Sequence, residues 1–316
     1  MHYSPVAMHI PDGFLSILVS ILFWIVSVIV IAMAIKNINK NLSEKQIPLM
    51  GILAAAIFAG QMLNFSVTGG TSGHLLGAAL ATILLGPWPA VIVMTAVVST
   101  QAIIFQDGGM LALGANLFNM AVLGVFVSYA IYRLIQRSAS GKSWGLFTGS
   151  AVSSWASIFI ASLSAALMLA LSGTSPANIA VPAMAAIHAL IGVGEAIITV
   201  GAISFLFAAR KDLFQETATT PSNNRPIIIG GAIITIALAI LSPLASSHPD
   251  GLEWVAEQNG FLALAQESLY QVVPDYVMPG ITNEGLATIL AGIIGSVLVF
   301  FAAFFTARSR KQRKIS

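Results

Sequence analysis

The stretch from Leu15 to Ile35 contains no charged residue, and its length decides what solvent the chain folds in. A helix needs about 20 residues to cross about 30 Å of hydrocarbon. Leu15–Ile35 meets that requirement, as do later runs, and only 8% of the 316 residues are charged while 57% are hydrophobic. An ordinary soluble domain carries roughly a quarter charged residues, so this chain lacks the groups to dress a water-facing surface. The sequence predicts an all-α integral membrane protein. The first run has no Lys or Arg ahead of it and is longer than a signal-peptide core of roughly 7–15 residues, so it reads as a retained span. The chain has no Cys, which excludes disulfides and thiolate metal sites.

The charges lay out the topology. All 14 Lys and Arg fall in four segments: Lys36 to Lys45, Arg133 to Lys142, Arg210 to Arg225, and the tail from Arg308. The positive-inside rule places these four in the cytoplasm, so the N-terminus with His9 and Asp12 is expected outside and the C-terminus inside. Pro87, Pro89 and two Gly-rich stretches divide the next region into pieces at about 47–65, 74–86, 89–106 and 111–132, followed by runs at about 146–171 and 180–208. Seven spans are expected for a first domain. Residues 209–225 are polar and turn-rich, as a linker would be. Two further spans, about 226–245 and 286–307, form a C-terminal membrane hairpin around an external acidic loop holding Asp250, Glu253, Glu257, Glu267, Asp275 and Glu284. Gly251 to Tyr270 has helical composition, with irregular chain expected after it at Pro274, Pro279 and Gly280.

One piece is too short to span. His74 to Gly86 is expected to follow a Gly-rich loop, Ser66 to Gly73, that dips below the membrane surface inside the protein, where non-helical backbone is tolerated. This topology puts His9, His74 and Asp107 on the same outer side. Imidazole ligates zinc, copper, nickel and iron, and a chain without Cys offers only nitrogen and oxygen donors. A lone His is more often structural; two on one side, one of them after a re-entrant loop, make a metal site an even alternative.

At this point the residues resemble a family. Met8-His9-Ile10-Pro11-Asp12-Gly13-Phe14-Leu15 is similar to the N-terminal signature of the CbiM/NikM family, substrate-binding components of energy-coupling-factor cobalt and nickel importers. The resemblance continues through Gly69 to Gly77, Gln106-Asp107-Gly108-Gly109, Gly114-Ala115-Asn116 and Ile191 to Ala196, covering roughly residues 8–208. It implies a planar ion held by four nitrogens: the Met8 amine, the His9 amide and ring, and the His74 ring. An amine, the next amide and that residue's imidazole close adjoining five- and six-membered chelate rings, and planar nitrogen coordination suits Ni(II) or Cu(II). Seven residues precede Met8 here, so Met8 is expected to be the real start; otherwise His2 or another nitrogen completes a different site. Ser246 to Glu253 resembles the NikN-like PDGLE module, expected to occupy 226–307 ahead of a basic cytoplasmic tail at 308–316.

Asp107 and Asn116 are expected to support the metal histidines from behind. His188 and Glu195, seven apart on one helix face, are assigned to helix packing or coupling to a partner, with Glu195 expected toward the cytoplasmic half. Gly141-Lys142-Ser143 is no P-loop, because Gln136 stands where its first Gly belongs and no buried strand precedes it. Nor does the chain contain H-E-x-x-H. The expected function is therefore capture of Ni(II) or Co(II), as transported substrate, at a bacterial-type cell membrane. Energy would come from a transmembrane coupling subunit (CbiQ/NikQ-like) and cytoplasmic ATPases (CbiO/NikO-like), with no nucleic acid partner. Two other classes stay open: a stand-alone proton-coupled transporter using Glu195 and His188, and a membrane metalloenzyme.

Overall fold

The computed structural model describes residues 9–41, 46–140, 142–210 and 225–312. Within them the protein is a helical membrane bundle. Seven helices are long and apolar enough to span: Ile17–Ile38, Pro87–Phe105, Leu113–Ser138, Ser143–Leu171, Ala177–Ala209, Arg225–Leu244 and Glu284–Ser309. Their outward faces carry side chains that no soluble protein would expose together, such as Leu18 (81%) and Ile17 (70%) on the first of them. These are the lipid-facing surface, which explains why large exposed apolar residues carry no penalty here.

The helices are α1 (Ile17–Asn41), α2 (Gln46–Gln61), α3 (Ala78–Leu85), α4 (Pro87–Phe105), α5 (Leu113–Leu117), α6 (Gly124–Ser138), α7 (Ser143–Leu171), α8 (Ala177–Ala209), α9 (Arg225–Leu241), α10 (Gly251–Gln258) and α11 (Glu284–Gln312). A π-helical turn, Phe118–Leu123, joins α5 to α6 without a break. Two expected crossings are short. α2 has 16 residues and α3 has 8, about 24 Å and 12 Å of helix. α2 tolerates this because α4, α9 and α11 wrap it, leaving Met50, Ala54, Ile57 and Phe58 fully buried.

Instead of entering α3 directly, the chain after α2 makes a small antiparallel hairpin, β1 (Phe65–Val67) and β2 (Thr71–Gly73). Its turn needs Gly69 and Gly70 at φ of 90° and 79°, a region that L side chains rarely adopt. The helix expected from Gly251 to Tyr270 ends at Gln258, because Gly260 turns left-handed (φ 75°) and drops Phe261 into the core, edge-on to Phe14 at 5.2 Å. The remainder of that segment is irregular, with single 3-10 turns at Leu262–Leu264 and Pro274–Tyr276.

The connections at one end of the bundle are tied to one another. Backbone bonds run from Ser246 to Asn64, from Gln266 to Asp12 and from Val273 to Ile104, and the Thr174 hydroxyl donates to the Phe14 carbonyl. Helix ends near Lys36, Arg137 and Arg210 lie at the opposite end.

Candidate metal centre

The chain leading into α1 is held by the loop between α4 and α5. Gly109 N–H donates to the Ile10 carbonyl at 3.0 Å. The Asn116 side chain does what a neighbouring strand would do: its Oδ1 accepts from Ile10 N–H and its Nδ2 donates to Ile10 O, both at 3.0 Å. Asp12 accepts from the Met110 and Ala112 amides at 3.0 and 2.9 Å, satisfying donors ahead of α5. These bonds fix the backbone that follows His9 before its ring is considered.

His9 is 4% exposed, with Nδ1 3.0 Å from Asp107 Oδ1 and 3.1 Å from the Asp107 carbonyl. The carbonyl lies on the hydrogen-bond line, whereas the Oδ1 contact is an off-line ionic one. Burial by itself lowers the imidazole's proton affinity, but the adjacent Asp107 charge and hydrogen bonds outweigh it, so the His9 pKa is raised. Burial likewise pushes Asp107 upward, and the His9 charge with the His9 and Tyr276 hydrogen bonds more than reverses this, so its pKa is lowered. His9 Nε2 is buried and makes no hydrogen bond.

His74 follows β2, and its ring meets His9 edge-on, centroids 5.6 Å apart. The two rings border a cavity of about 90 Å³ whose wall also includes Asn116, Met120, Met184, His188 and Asp250. Sequence reading joined His9, His74, Asp107 and Asn116, and all four meet here. Met8 lies outside the described residues. His188 also reaches the cavity, with Nδ1 2.9 Å from the Met184 carbonyl. Glu195 does not line it. Although assigned to the cytoplasmic half, Glu195 holds the amides of Leu76 and Gly77, just beyond His74. Among the described residues no three His, Asp or Glu side chains converge at metal-ligand spacing.

Two residues near the C-terminal hairpin escaped the sequence reading. Tyr276 donates its hydroxyl to Asp107 Oδ2 at 2.5 Å and stacks on Phe105 at 4.8 Å. Asp250 lines the cavity, and burial pushes its carboxyl up to about 7. Asp250 had a signal, since Pro-Asp-Gly stood out but also reads as an ordinary turn. Tyr276 sits in irregular chain with no periodicity to mark it.

A putative fused nickel transport protein NikMN of Archaeoglobus fulgidus is 37% identical over 304 residues, spanning 95% of this chain and 98% of that protein. The fused nickel transport protein NikMN of Rhodobacter capsulatus is 31% identical, spanning 92% and 95%. A crystal structure described as a truncated transition metal transporter superposes with a TM-score of 0.58 at 37% identity, covering 64% of this chain and 99% of that one. Residues 225–312 match the PDGLE domain. Residues 9–213 match CbiM, the cobalt uptake substrate-specific transmembrane region, and the chain belongs to that family of membrane transport proteins, not to a family of enzymes.

Proposed function

We propose that this protein is the substrate-capturing membrane component of an ATP-driven importer of the energy-coupling-factor type, and that its substrate is Ni(II) or Co(II). The observation that carries the reading is the ring pair of buried His9 and half-buried His74, centroids 5.6 Å apart at the border of one cavity. Two imidazoles on one pocket suit a divalent ion such as Ni(II). The names of the fused NikMN relatives and of the cobalt transport protein CbiM of Acetohalobium arabaticum, 36% identical over 150 residues, support the choice of metal.

In the four-nitrogen arrangement the Met8 amine, the His9 amide and the His9 ring close two fused chelates, and His74 takes the fourth in-plane position. Closing the six-membered ring uses His9 Nδ1, the nitrogen that faces Asp107 in the metal-free protein. Capture by this route therefore turns the His9 ring about its Cβ–Cγ bond, and it needs a chain whose free amine is at Met8. Asn116 and Asp107 support the site. The outer side of the membrane is the capture side, with the basic segments and C-terminus in the cytoplasm. CbiQ/NikQ-like coupling and CbiO/NikO-like ATPase subunits supply the energy. A proton relay through Glu195 is disfavoured because two backbone amides already occupy its carboxylate.

The test is metal uptake by cells or vesicles with and without ATPase subunits, beside metal content of the purified chain. Uptake should need the ATPase, and His9→Ala and His74→Ala should be purified without metal. Uptake by this chain alone under a proton gradient, or metal retained by His74→Ala, would overturn the reading.

A further inference from the structure

The cavity between His9 and His74 is closed by the PDGLE region. Ser72 N–H donates to the Pro249 carbonyl at 2.8 Å, and the Ser72 hydroxyl donates to the His248 carbonyl, also at 2.8 Å. Thr71 Oγ1 adds a bond to Pro249 O at 3.0 Å. The turn that follows sits directly on α8: a Cβ at Gly251 would lie 2.8 Å from both His188 Cε1 and Ile191 Cδ1. A side chain there would have to push both of these ends aside.

Between these two contacts stands Asp250, 5% exposed and lining the cavity. Its Oδ1 accepts from Glu253 N–H at 2.7 Å and caps α10. Capping does not require a charge, since Ser or Asn serve as well, and burying a carboxylate is costly unless something compensates it. Asp250 is also the one acid among the described residues lining the cavity. A divalent ion entering a largely apolar pocket meets the same cost from the opposite sign.

We propose that the Pro249–Asp250–Gly251 turn is the removable outer closure of the capture cavity, and that Asp250 is the counter-charge that retains a divalent cation beneath it. Asp250 acts here through its charge and is not assigned as a ligand. The inference rests on the metal-capture reading above.

The experiment uses the full-length protein in lipid nanodiscs with Ni(II) as probe. Asp250→Asn keeps a good helix cap and removes the charge, and Asp250→Ala removes both. Because the chain has no native Cys, Ser66→Cys/Ser246→Cys can lock the closure, the parent hydroxyls lying 3.1 Å apart near the reach of a disulfide. Asp250→Asn should bind Ni(II) at least about tenfold more weakly, about 1.4 kcal/mol, with the loss in faster release. The oxidised double variant should load and release Ni(II) at least about tenfold more slowly than its reduced form. Wild-type retention by Asp250→Asn with weakening only in Ala, or equal exchange rates in locked and reduced protein, overturns the proposal. Wild-type protein without Ni(II), or His74→Ala that holds it, overturns the capture reading instead.

Discussion

Glu195, in α8, accepts the backbone N–H of Leu76 at 2.7 Å across 119 residues of sequence. The same carboxylate takes Gly77 N–H at 3.1 Å, so both donors just ahead of α3 are satisfied by one buried side chain. The loop carrying His74 is thereby fastened to a membrane helix.

Hydrogen bonds to a charged group contribute about 1.5–3 kcal/mol each, and a buried donor left unpaired costs about 1–3 kcal/mol. Glu195→Ala leaves two such donors, and Glu195→Gln satisfies one. Ni(II) affinity is expected to fall about tenfold in the Gln variant and further in the Ala variant, read from binding isotherms. An unchanged isotherm for Glu195→Ala would show that His74 needs no such anchor.

Tyr276→Phe keeps the stack on Phe105 but removes the hydroxyl that holds Asp107. The Asp107 pKa should rise and its grip on His9 should weaken; because capture must release Nδ1 from that grip, Ni(II) affinity should rise several-fold while the fold survives. Thermal unfolding alongside metal titration separates the two effects. A large loss of stability with unchanged affinity would mark Tyr276 as a packing residue only.

His9 gives binding a pH dependence of known sign. Its raised pKa means that the ring keeps its proton to a higher pH than an ordinary imidazole at about 6.5. Proton and metal compete for the ring, so affinity is full above the raised value and is lost as pH falls through it. The decline should therefore begin above 6.5, approaching about tenfold per unit for one displaced proton. In Asp107→Asn it should begin at lower pH. Matching profiles for the two proteins would remove Asp107 from the account.

His188 shares the cavity wall, yet its Nδ1 faces Met184, and among the described residues no three His, Asp or Glu side chains converge. His188→Ala should keep Ni(II) within a few-fold of wild type, in contrast to His74→Ala. One Ala inserted between Met8 and His9 supplies an amine, two amides and the His9 ring, enough nitrogens to fill four planar positions, so Ni(II) binding should no longer need His74. An insertion variant that still loses Ni(II) with His74→Ala would count against the fused-chelate arrangement.

Topology can be read with a single probe. Cysteine in place of Ser247, an exposed position, should react with an impermeant reagent on intact cells. Reaction only after permeabilisation would invert the capture side.

Much of this was legible because membrane solvent leaves coarse signals. Apolar length marked the long helices, and Gly-rich chain ahead of His74 marked the hairpin. The grouping of His9, His74, Asp107 and Asn116 followed from topology and family likeness. What escaped was set by tertiary contact alone. Gly251 to Tyr270 has helical composition, but Gly260 and the burial of Phe261 end the helix early. Glu195 looked remote because it stands about midway along its own span, whereas the chain after His74 reaches deep enough for the amides ahead of α3 to meet it. Tyr276 belongs to a 3-10 turn whose neighbours carry no pattern.

The ties around His9 also set a timetable. Its ring waits for Asp107, the Ile10 backbone beside it for Asn116, Asp107 for Tyr276 across 169 residues, and Asp12 for Gln266. On a ribosome Asp107 and Asn116 follow the N-terminal stretch early, but Gln266 and Tyr276 are made only after most of the membrane bundle. The pocket is therefore completed late, and a nascent chain interrupted before Asp250 carries both histidines without the wall and ties that the C-terminal region adds.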